Sequence, residues 1–210
     1  MKEDAYKKII AHYENCLNTH GDTHLGMDWP NISDAQKRYG IMLDLMRFKK
    51  ESQEVSLLDF GCGTSHLYQY MLEHTFSKVT YSGLDITKKF VNLAQEKYPE
   101  NTYYQLDVLK DASKLPSFDY IVCNGVFTEK RELTFEAMWA YMQQLLLVLF
   151  NKADKGIAFN VMSKAVDWER WDLFHLSTDL LIDFMTKQLS RNFIIRNDYG
   201  LYEYTVYIYK

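Results

Sequence analysis

A glycine-rich stretch directly after a short apolar run is the part of this sequence best suited to hold a ligand. It contains Asp59, Gly61, Cys62 and Gly63 within SLLDFGCGTSHLYQYM, whose second half has a helical pattern. Glycine lets the backbone approach a ligand closely, and free N–H groups at the start of a helix attract acceptor atoms. A dinucleotide-binding loop would have a third glycine where this sequence has His66. The stretch therefore predicts an adenosine-bearing ligand and disfavours a nicotinamide or flavin dinucleotide.

Polar residues downstream fall near the ends of predicted strands, and their chemistry suits the same ligand. Asp85 closes the second predicted strand about twenty residues after the glycines, where a carboxylate can accept hydrogen bonds from ribose hydroxyls. Asp107 ends the third strand, where it could receive an adenine amine while Val108 covers the ring. Asn124, in CNGVF at the end of the fourth strand, would close the pocket near the reacting group.

The hydrophobic pattern predicts the elements that must bring these residues together. Strands alternate with helices, which implies right-handed crossovers and a mostly parallel sheet covered on both faces. Thr87 is expected to cap the helix after the second strand. The predicted strands are residues 55–60, 78–86, 102–108, 118–127, 155–163, 192–198 and 201–210. The turn between the last two is so short that they must pair antiparallel. The predicted fold class is therefore α/β, a doubly wound seven-stranded sheet with an antiparallel last strand.

The N-terminal part of the chain has a different pattern. Residues 1–50 are expected to form a helical lid or substrate-binding extension, and residues 51–210 the cofactor-binding domain. A second helix of this lid begins near Ser33, which has capping-box spacing to Gln36. The first helix has an apolar face of Tyr6, Ile9, Ile10, Tyr13 and Leu17.

Composition narrows the function classes. The chain of 210 residues is 47% apolar and 25% charged, as in a folded globular protein. A net charge of −4 argues against a broad nucleic-acid-binding face, which needs clustered Lys and Arg. Cys16, Cys62 and Cys123 form no CxxC pair, which favours reduced thiols and a cytoplasmic location. No signal peptide is evident, and the longest apolar run, LLLVLF, is far too short to span a bilayer.

Taken in order, LLDFGCGTSHL, YSGLDIT, YYQLDV and FDYIVCNGVF resemble the successive motifs of class I S-adenosylmethionine-dependent methyltransferases. The resemblance covers residues 55–210 and implies that family's Rossmann-like fold, with its reversed last strand, and S-adenosylmethionine as cofactor. We further expect Arg38 to pair with the cofactor carboxylate. The implied cofactor-binding residues are Asp59, Gly61, Cys62 and Gly63 around the methionine portion, Asp85 at the ribose, Ile86, Asp107 and Val108 at the adenine, and Asn124 near the amino-acid end or the methyl.

Two segments outside the family motifs are expected to select the methyl acceptor. HGDTHLGMDWPN and KAVDWERWDLFH concentrate charged and aromatic side chains, and segments beyond the core of a fold commonly carry its specificity. From them we predict Trp29, Trp168, Arg170 and Trp171 as substrate residues. His175 is the first choice for a general base and His24 the second. A metal site of His20, His24 and Asp22 is conceivable, but no further ligand spacing supports it, so no metal is predicted.

These observations predict a methyltransferase that acts on an oxygen or nitrogen atom of a small molecule by in-line displacement. A nucleic-acid acceptor is disfavoured, because the fourth strand is followed by NGVF and not by the (Asn/Asp/Ser)-Pro-Pro-aromatic stretch of enzymes that methylate base amines. Two alternatives stay open: a methyltransferase for a protein or RNA partner, and a non-catalytic S-adenosylmethionine-binding partner subunit.

Overall fold

One twisted sheet organises the molecule. In the computed structural model, which describes residues 6–210, its main path has the order β3-β2-β1-β4-β5-β8-β7, and the short β6 pairs with β5 off this path. The strands are β1 (Val55–Phe60), β2 (Val79–Asp85), β3 (Thr102–Gln105), β4 (Phe118–Cys123), β5 (Ala153–Ser163), β6 (His175–Leu176), β7 (Phe193–Arg196) and β8 (Glu203–Tyr209). Pairing is parallel from β3 to β5, whereas β8 is antiparallel to both β5 and β7. The predicted seven-stranded sheet with a reversed last strand is confirmed, and the two-residue β6 is an addition to it.

Helices follow most of the parallel strands, as the alternating pattern predicts. They are α1 (Lys7–His20), α2 (Ile32–Leu43), α3 (His66–Glu73), α4 (Lys88–Lys97), α5 (Phe135–Lys152) and α6 (Thr178–Gln188), with short 3-10 turns at Asp44–Met46 and Ala112–Lys114. No helix within residues 6–210 is long and apolar enough to cross a membrane.

Each face of the sheet has its own hydrophobic core, because successive side chains of a strand point to opposite faces. Leu58, Ile121 and Ile157 belong to the core that contains the buried residues of α5 and α6. Their neighbours Leu57 and Val122 belong to the core that contains the buried residues of α2 and α3. Strands buried on both faces are near-continuous apolar runs, which is why VSLLDF and FDYIVC were recognisable in the sequence.

Two predicted helix caps differ from the structure. Asn31, not Ser33, caps α2: its side chain accepts hydrogen bonds from the Ser33 N–H at 2.9 Å and the Asp34 N–H at 3.3 Å. Thr87 holds the N-cap position of α4, but its side chain makes no capping hydrogen bond. The Thr87 N–H is instead bound by the Asp85 carboxylate at 2.9 Å. Both differences concern which side-chain oxygen reaches the free N–H groups, and the helix starts themselves lie within one residue of those predicted.

Candidate active site

A cavity opens where the carboxyl ends of β1, β2 and β4 meet, the usual ligand position in such a sheet. We call it the strand-end cavity. Every predicted cofactor residue except Arg38 lines it: Asp59, Gly61, Cys62, Gly63, Asp85, Ile86, Asp107, Val108 and Asn124. The inner face of α1 lines it as well, with Tyr6, Ile9, Ile10 and Tyr13. The sequence motifs therefore converge on one cavity, and the N-terminal helix closes part of it.

Two buried carboxylates lie beside the glycine loop, and one of them is hydrogen-bonded to it. Asp85 Oδ2 accepts a hydrogen bond from the Gly63 N–H at 3.1 Å, and Asp59 Oδ2 accepts one from the Tyr81 hydroxyl at 2.9 Å. Burial, together with the proximity of Asp85, raises the pKa of Asp59 to about 7, and burial raises the pKa of Asp85 to about 6. Each carboxylate oxygen can accept more than one hydrogen bond, so Asp85 can hold the loop and still accept from a ligand hydroxyl.

The glycines of the loop are required by backbone conformation and by close neighbours. Gly61 and Gly63 have φ angles of +75° and +53°, which side chains of L-residues rarely tolerate. A Cβ on Gly61 would lie 2.8 Å from Val126, and one on Gly63 would lie 2.7 Å from the sulfur of Met27. The second contact shows that the segment between α1 and α2 rests directly on the glycine loop.

His66, which replaces the third glycine of the dinucleotide pattern, helps to anchor that segment. Its Nε2 lies 2.8 Å from Asp22 Oδ1, to which the Thr64 hydroxyl also donates at 2.5 Å. Lys97 Nζ lies 2.7 Å from the other oxygen of Asp22. Burial of Asp22 is outweighed by hydrogen bonds from His66, Lys97 and Thr64, so its pKa is lowered. Asp22 is thus bound by three side chains that lie outside its own segment.

Asp107, which was predicted to lie at the adenine, is hydrogen-bonded to the residue that directly precedes α1. Asp107 lies beyond β3, and its carboxylate accepts hydrogen bonds from the Tyr6 hydroxyl at 2.5 Å and the Leu109 N–H at 3.2 Å. The Tyr6 ring stacks on Tyr141 of α5 at 5.4 Å between centroids. A carboxylate that already binds Tyr6 has less capacity for an adenine amine, so Tyr6 is a residue of this site that the sequence analysis did not weigh.

Asn124 is the clearest sign that the strand-end cavity is built for a polar ligand. Its Oδ1 is buried and has no hydrogen-bond partner within residues 6–210. An unpartnered buried acceptor is costly, and native proteins rarely leave one without a role. The next residue is held firmly: the Gly125 N–H donates to Asn160 Oδ1 at 2.8 Å.

Arg38 was expected to pair with the cofactor carboxylate, but it does not line the strand-end cavity. Its Nε donates to both carboxylate oxygens of Glu203, at 3.0 and 2.9 Å, and its Nη2 lies 2.8 Å from Oε2. The guanidinium also lies over the Trp29 ring, 4.5 Å from the centroid. Because Arg38 is paired with Glu203 in this way, its charge is not available to a cofactor carboxylate.

A second cavity adjoins the first, and we call it the aromatic cavity. Its lining comprises Tyr13, Asp28, Trp29, Pro30, Asp34, Arg38, Thr128, Glu129, Met162, Val166, Asp167, Trp168, Arg170, Leu173, His175, Leu201, Tyr202 and Glu203. Tyr13 and Trp29 line both cavities, so they stand at the junction. Of the predicted substrate residues, Trp29, Trp168 and Arg170 belong to this lining. Trp171 is 68% exposed and does not.

Neither histidine predicted as a general base has a suitable position. His175 is buried, its Nδ1 donates to the Ser163 carbonyl at 2.6 Å, and its Nε2 accepts from the Arg170 N–H at 3.2 Å. These two bonds fix the tautomer and leave no ring nitrogen to take a substrate proton. His24 lies in neither lining. The geometry therefore argues against both predictions.

Comparison with known proteins agrees with the architecture of the strand-end cavity. Residues 58–148 match the family model of a methyltransferase domain. A curated putative methyltransferase of Mycobacterium tuberculosis is 26% identical over 167 residues, 79% of this chain and 99% of that protein. These matches, together with the fold, support a class I S-adenosylmethionine-dependent methyltransferase.

Solved structures of several methyltransferases have the same fold as this chain. The magnesium protoporphyrin IX methyltransferase from Synechocystis, solved with S-adenosylmethionine, has a TM-score of 0.66 at 16% identity and covers 97% of this chain and 96% of its own. The CurJ carbon methyltransferase has a TM-score of 0.60 at 14% identity and covers 98% of this chain and 67% of its own. At such identities the likeness establishes the fold of this methyltransferase and leaves its acceptor atom open.

Several residues of this methyltransferase site were missed by sequence reasoning. Met27 touches the glycine loop, Glu203 holds Arg38, and Glu129 is a buried acid in the aromatic cavity. Burial and the proximity of Asp28 raise the pKa of Glu129. Only Glu129 had a local signal, since it follows the fourth strand in the same loop as Asn124.

Proposed function

We propose that this methyltransferase binds S-adenosylmethionine in the strand-end cavity and transfers its methyl group to an oxygen or nitrogen atom of a small polar molecule in the aromatic cavity. The observation that carries this proposal is that Tyr13 and Trp29 line both cavities. Molecules bound on the two sides would meet at these rings.

The lining of the strand-end cavity fits the cofactor. Asp85 would accept hydrogen bonds from the ribose hydroxyls, and the glycine loop would lie along the methionine portion. The unpartnered Asn124 Oδ1 would accept from the cofactor's amino group. Ile86 and Val108 offer apolar surface for the adenine, with Asp107 at its edge.

Positioning would account for much of the catalysis. When bound, S-adenosylmethionine supplies a methyl group on a positively charged sulfur, which is a good leaving group for in-line displacement. The faces of Tyr13 and Trp29 can stabilise positive charge without hydrating it. Holding the acceptor atom in line at about 3 Å then supplies the remaining requirement.

Glu129 is a better candidate for proton removal than the histidines predicted from the sequence. It lines the aromatic cavity and is buried, and burial is the main cause of its raised pKa. A carboxylate with a raised pKa is a stronger base than an exposed one, which suits a hydroxyl or ammonium acceptor.

The walls of the aromatic cavity favour a small acceptor over a macromolecule. Trp168 and Tyr202 stand at its exposed side, whereas Glu129 and Glu203 are buried. The net charge of −4 argues against a nucleic acid, because binding to its phosphates needs clustered Lys and Arg. We also propose a cytoplasmic location, because Cys16, Cys62 and Cys123 are all free thiols.

The test is methyl transfer from S-adenosylmethionine labelled in the methyl group, with the purified protein and a fractionated metabolite extract. We expect label in a small-molecule fraction. Label found only in added protein or RNA would favour the macromolecular alternative. Binding of the cofactor without any transfer would favour the non-catalytic one, and a folded protein that binds no cofactor in calorimetry would refute the proposal.

Two exposed tryptophans provide a matched pair of variants once an acceptor is found. Trp168→Ala removes a ring from the aromatic cavity, while Trp171→Ala removes one of similar exposure outside it. We expect Trp168→Ala to raise the acceptor KM several-fold, as the loss of about 0.5–1.5 kcal/mol of aromatic contact implies. The cofactor affinity should stay unchanged in both variants.

A further inference from the structure

Three side chains with metal-binding chemistry converge beside the junction of the two cavities. His12 and Cys16 lie four residues apart on α1 and so share one face of it, and Asp28 approaches from the segment between α1 and α2. His12 Nε2 lies 2.7 Å from Asp28 Oδ2 and 3.7 Å from Cys16 Sγ. The ligand atoms of all three lie within 4.8 Å of one another.

His12 Nε2 faces both Asp28 and Cys16, and it cannot form a good hydrogen bond with both of them at once. When His12 Nε2 carries a proton, it donates to the Asp28 carboxylate, and it then offers no lone pair to the thiol of Cys16. When Nε2 is unprotonated, it can accept from the thiol but faces the carboxylate oxygen with two lone pairs opposed. A cation among the three atoms satisfies all of them at once.

We propose that His12, Cys16 and Asp28 form a binding site for a divalent transition metal, with Zn²⁺ as the best match. Imidazole, thiolate and carboxylate are the three ligand types that Zn²⁺ uses, whereas Mg²⁺ and Ca²⁺ select oxygen ligands. Bond lengths of about 2.0–2.3 Å and tetrahedral angles require ligand atoms about 3.3–3.6 Å apart. The nitrogen–sulfur separation is already close to this, and the nitrogen–oxygen pair needs to open by roughly half an ångström.

Three protein ligands leave a fourth coordination position for water or another donor. The site's location also gives the metal a structural consequence. Asp28 has a φ of +58°, and its neighbour Trp29 lines both cavities. A metal bridging Asp28 to α1 would fix the backbone from which the Trp29 ring projects. The site would thus act as a clamp that positions the junction.

The test uses the full-length protein, reduced and freed of metal by a chelator, and titrated with Co²⁺ as a spectroscopic substitute for Zn²⁺. We expect one equivalent to bind per chain, with a thiolate-to-cobalt charge-transfer band. Competition against a chromophoric chelator should then give a Zn²⁺ Kd of about 1 μM or tighter. The variants Cys16→Ser and His12→Gln should weaken binding at least about tenfold, and Cys16→Ser should abolish the charge-transfer band.

His20→Gln is the matched control, because His20 lies exposed on the same helix outside the cluster. It should bind metal as the wild type does. Circular dichroism checks that each metal-free variant is folded, and a separate calorimetric titration with S-adenosylmethionine distinguishes failure of this proposal from failure of the proposed function. The metal site is refuted if the wild type shows no cobalt–thiolate band, if Cys16→Ser keeps it, or if His20→Gln loses it.

Discussion

The buried ion pair between Arg38 and Glu203 is a sharp test of how this site is held together. Glu203 is 1% exposed and Arg38 13% exposed as side chains, and three nitrogen–oxygen contacts of 2.8–3.0 Å join them. Asn160 Nδ2 donates to the same carboxylate at 3.0 Å, and its Oδ1 binds the Gly125 N–H. The substitution Glu203→Gln removes the negative charge and keeps nearly the same shape.

The expected cost follows from the charge that remains. Breaking a buried pair by removing one partner typically costs about 3–5 kcal/mol, because the other charge stays buried without compensation. Glutamine still accepts a hydrogen bond, so we expect a loss near the lower limit. At about 2–4 °C per kcal/mol for a chain of this size, Tm should fall by at least about 6 °C. Adding Arg38→Met should recover part of the loss, since no unpaired charge is then left.

The assay is urea and thermal unfolding of the single and double variants, with Asp183→Asn as control. Asp183 pairs with Lys187 on the exposed side of α6 at 2.6 Å, where side-chain exposures of 57% and 66% leave the pair screened by solvent. Its loss should cost no more than about 0.5 kcal/mol. If Glu203→Gln costs no more than Asp183→Asn, the reasoning about the buried pair is wrong.

Three further predictions concern the strand-end cavity. Asp85→Asn should raise the Kd for S-adenosylmethionine about 10- to 150-fold in calorimetry, because a hydrogen bond to a charged group contributes about 1.5–3 kcal/mol. An unchanged Kd would show that Asp85 does not bind the cofactor. Burial raises the pKa of Asp59 to about 7, so the native state binds more protons than the unfolded chain above the ordinary carboxyl pKa near 4. Stability contributed by this group therefore falls as pH rises towards 7. The free energy of unfolding of Asp59→Asn should fall less steeply between about pH 4 and 7 than that of the wild type, and parallel profiles would contradict this. Gly63→Ala should lower the free energy of unfolding by more than Gly200→Ala does. Both glycines have positive φ, but only at Gly63 would the added Cβ meet a close neighbour, the sulfur of Met27 at 2.7 Å. Equal losses in urea unfolding would show that this contact relaxes freely.

The sequence predicted the strand-end cavity well because its information is local. Each parallel strand ends at the same edge of the sheet, so Asp59, Asp85 and Asn124 had only to lie at or just after strand ends to converge. The strands themselves were recognisable as apolar runs. Element positions, and the convergence of the predicted cofactor residues on one cavity, therefore followed from short stretches of chain.

The errors arose where a side chain's role depends on partners distant in sequence or on backbone groups. Arg38 is neutralised by Glu203, 165 residues away, and no local pattern links the two. His175 is satisfied by the carbonyl of Ser163 and the N–H of Arg170, which no spacing rule reveals. Trp168 lines the aromatic cavity and Trp171 does not, although both are exposed, and no local pattern separates the two.

His66 has a structural role that the sequence did not indicate. In the sequence it only marks the missing third glycine, whereas in the fold its imidazole binds Asp22 and thereby holds the segment before α2 against the glycine loop. Met27 and Trp29 belong to that segment, and they lie against Gly63 and Gly125. The loop expected to bind the cofactor thus also positions a wall of the aromatic cavity. Because the two cavities share this segment, we expect cofactor and acceptor affinities to be coupled, and by linkage the coupling is equal in both directions.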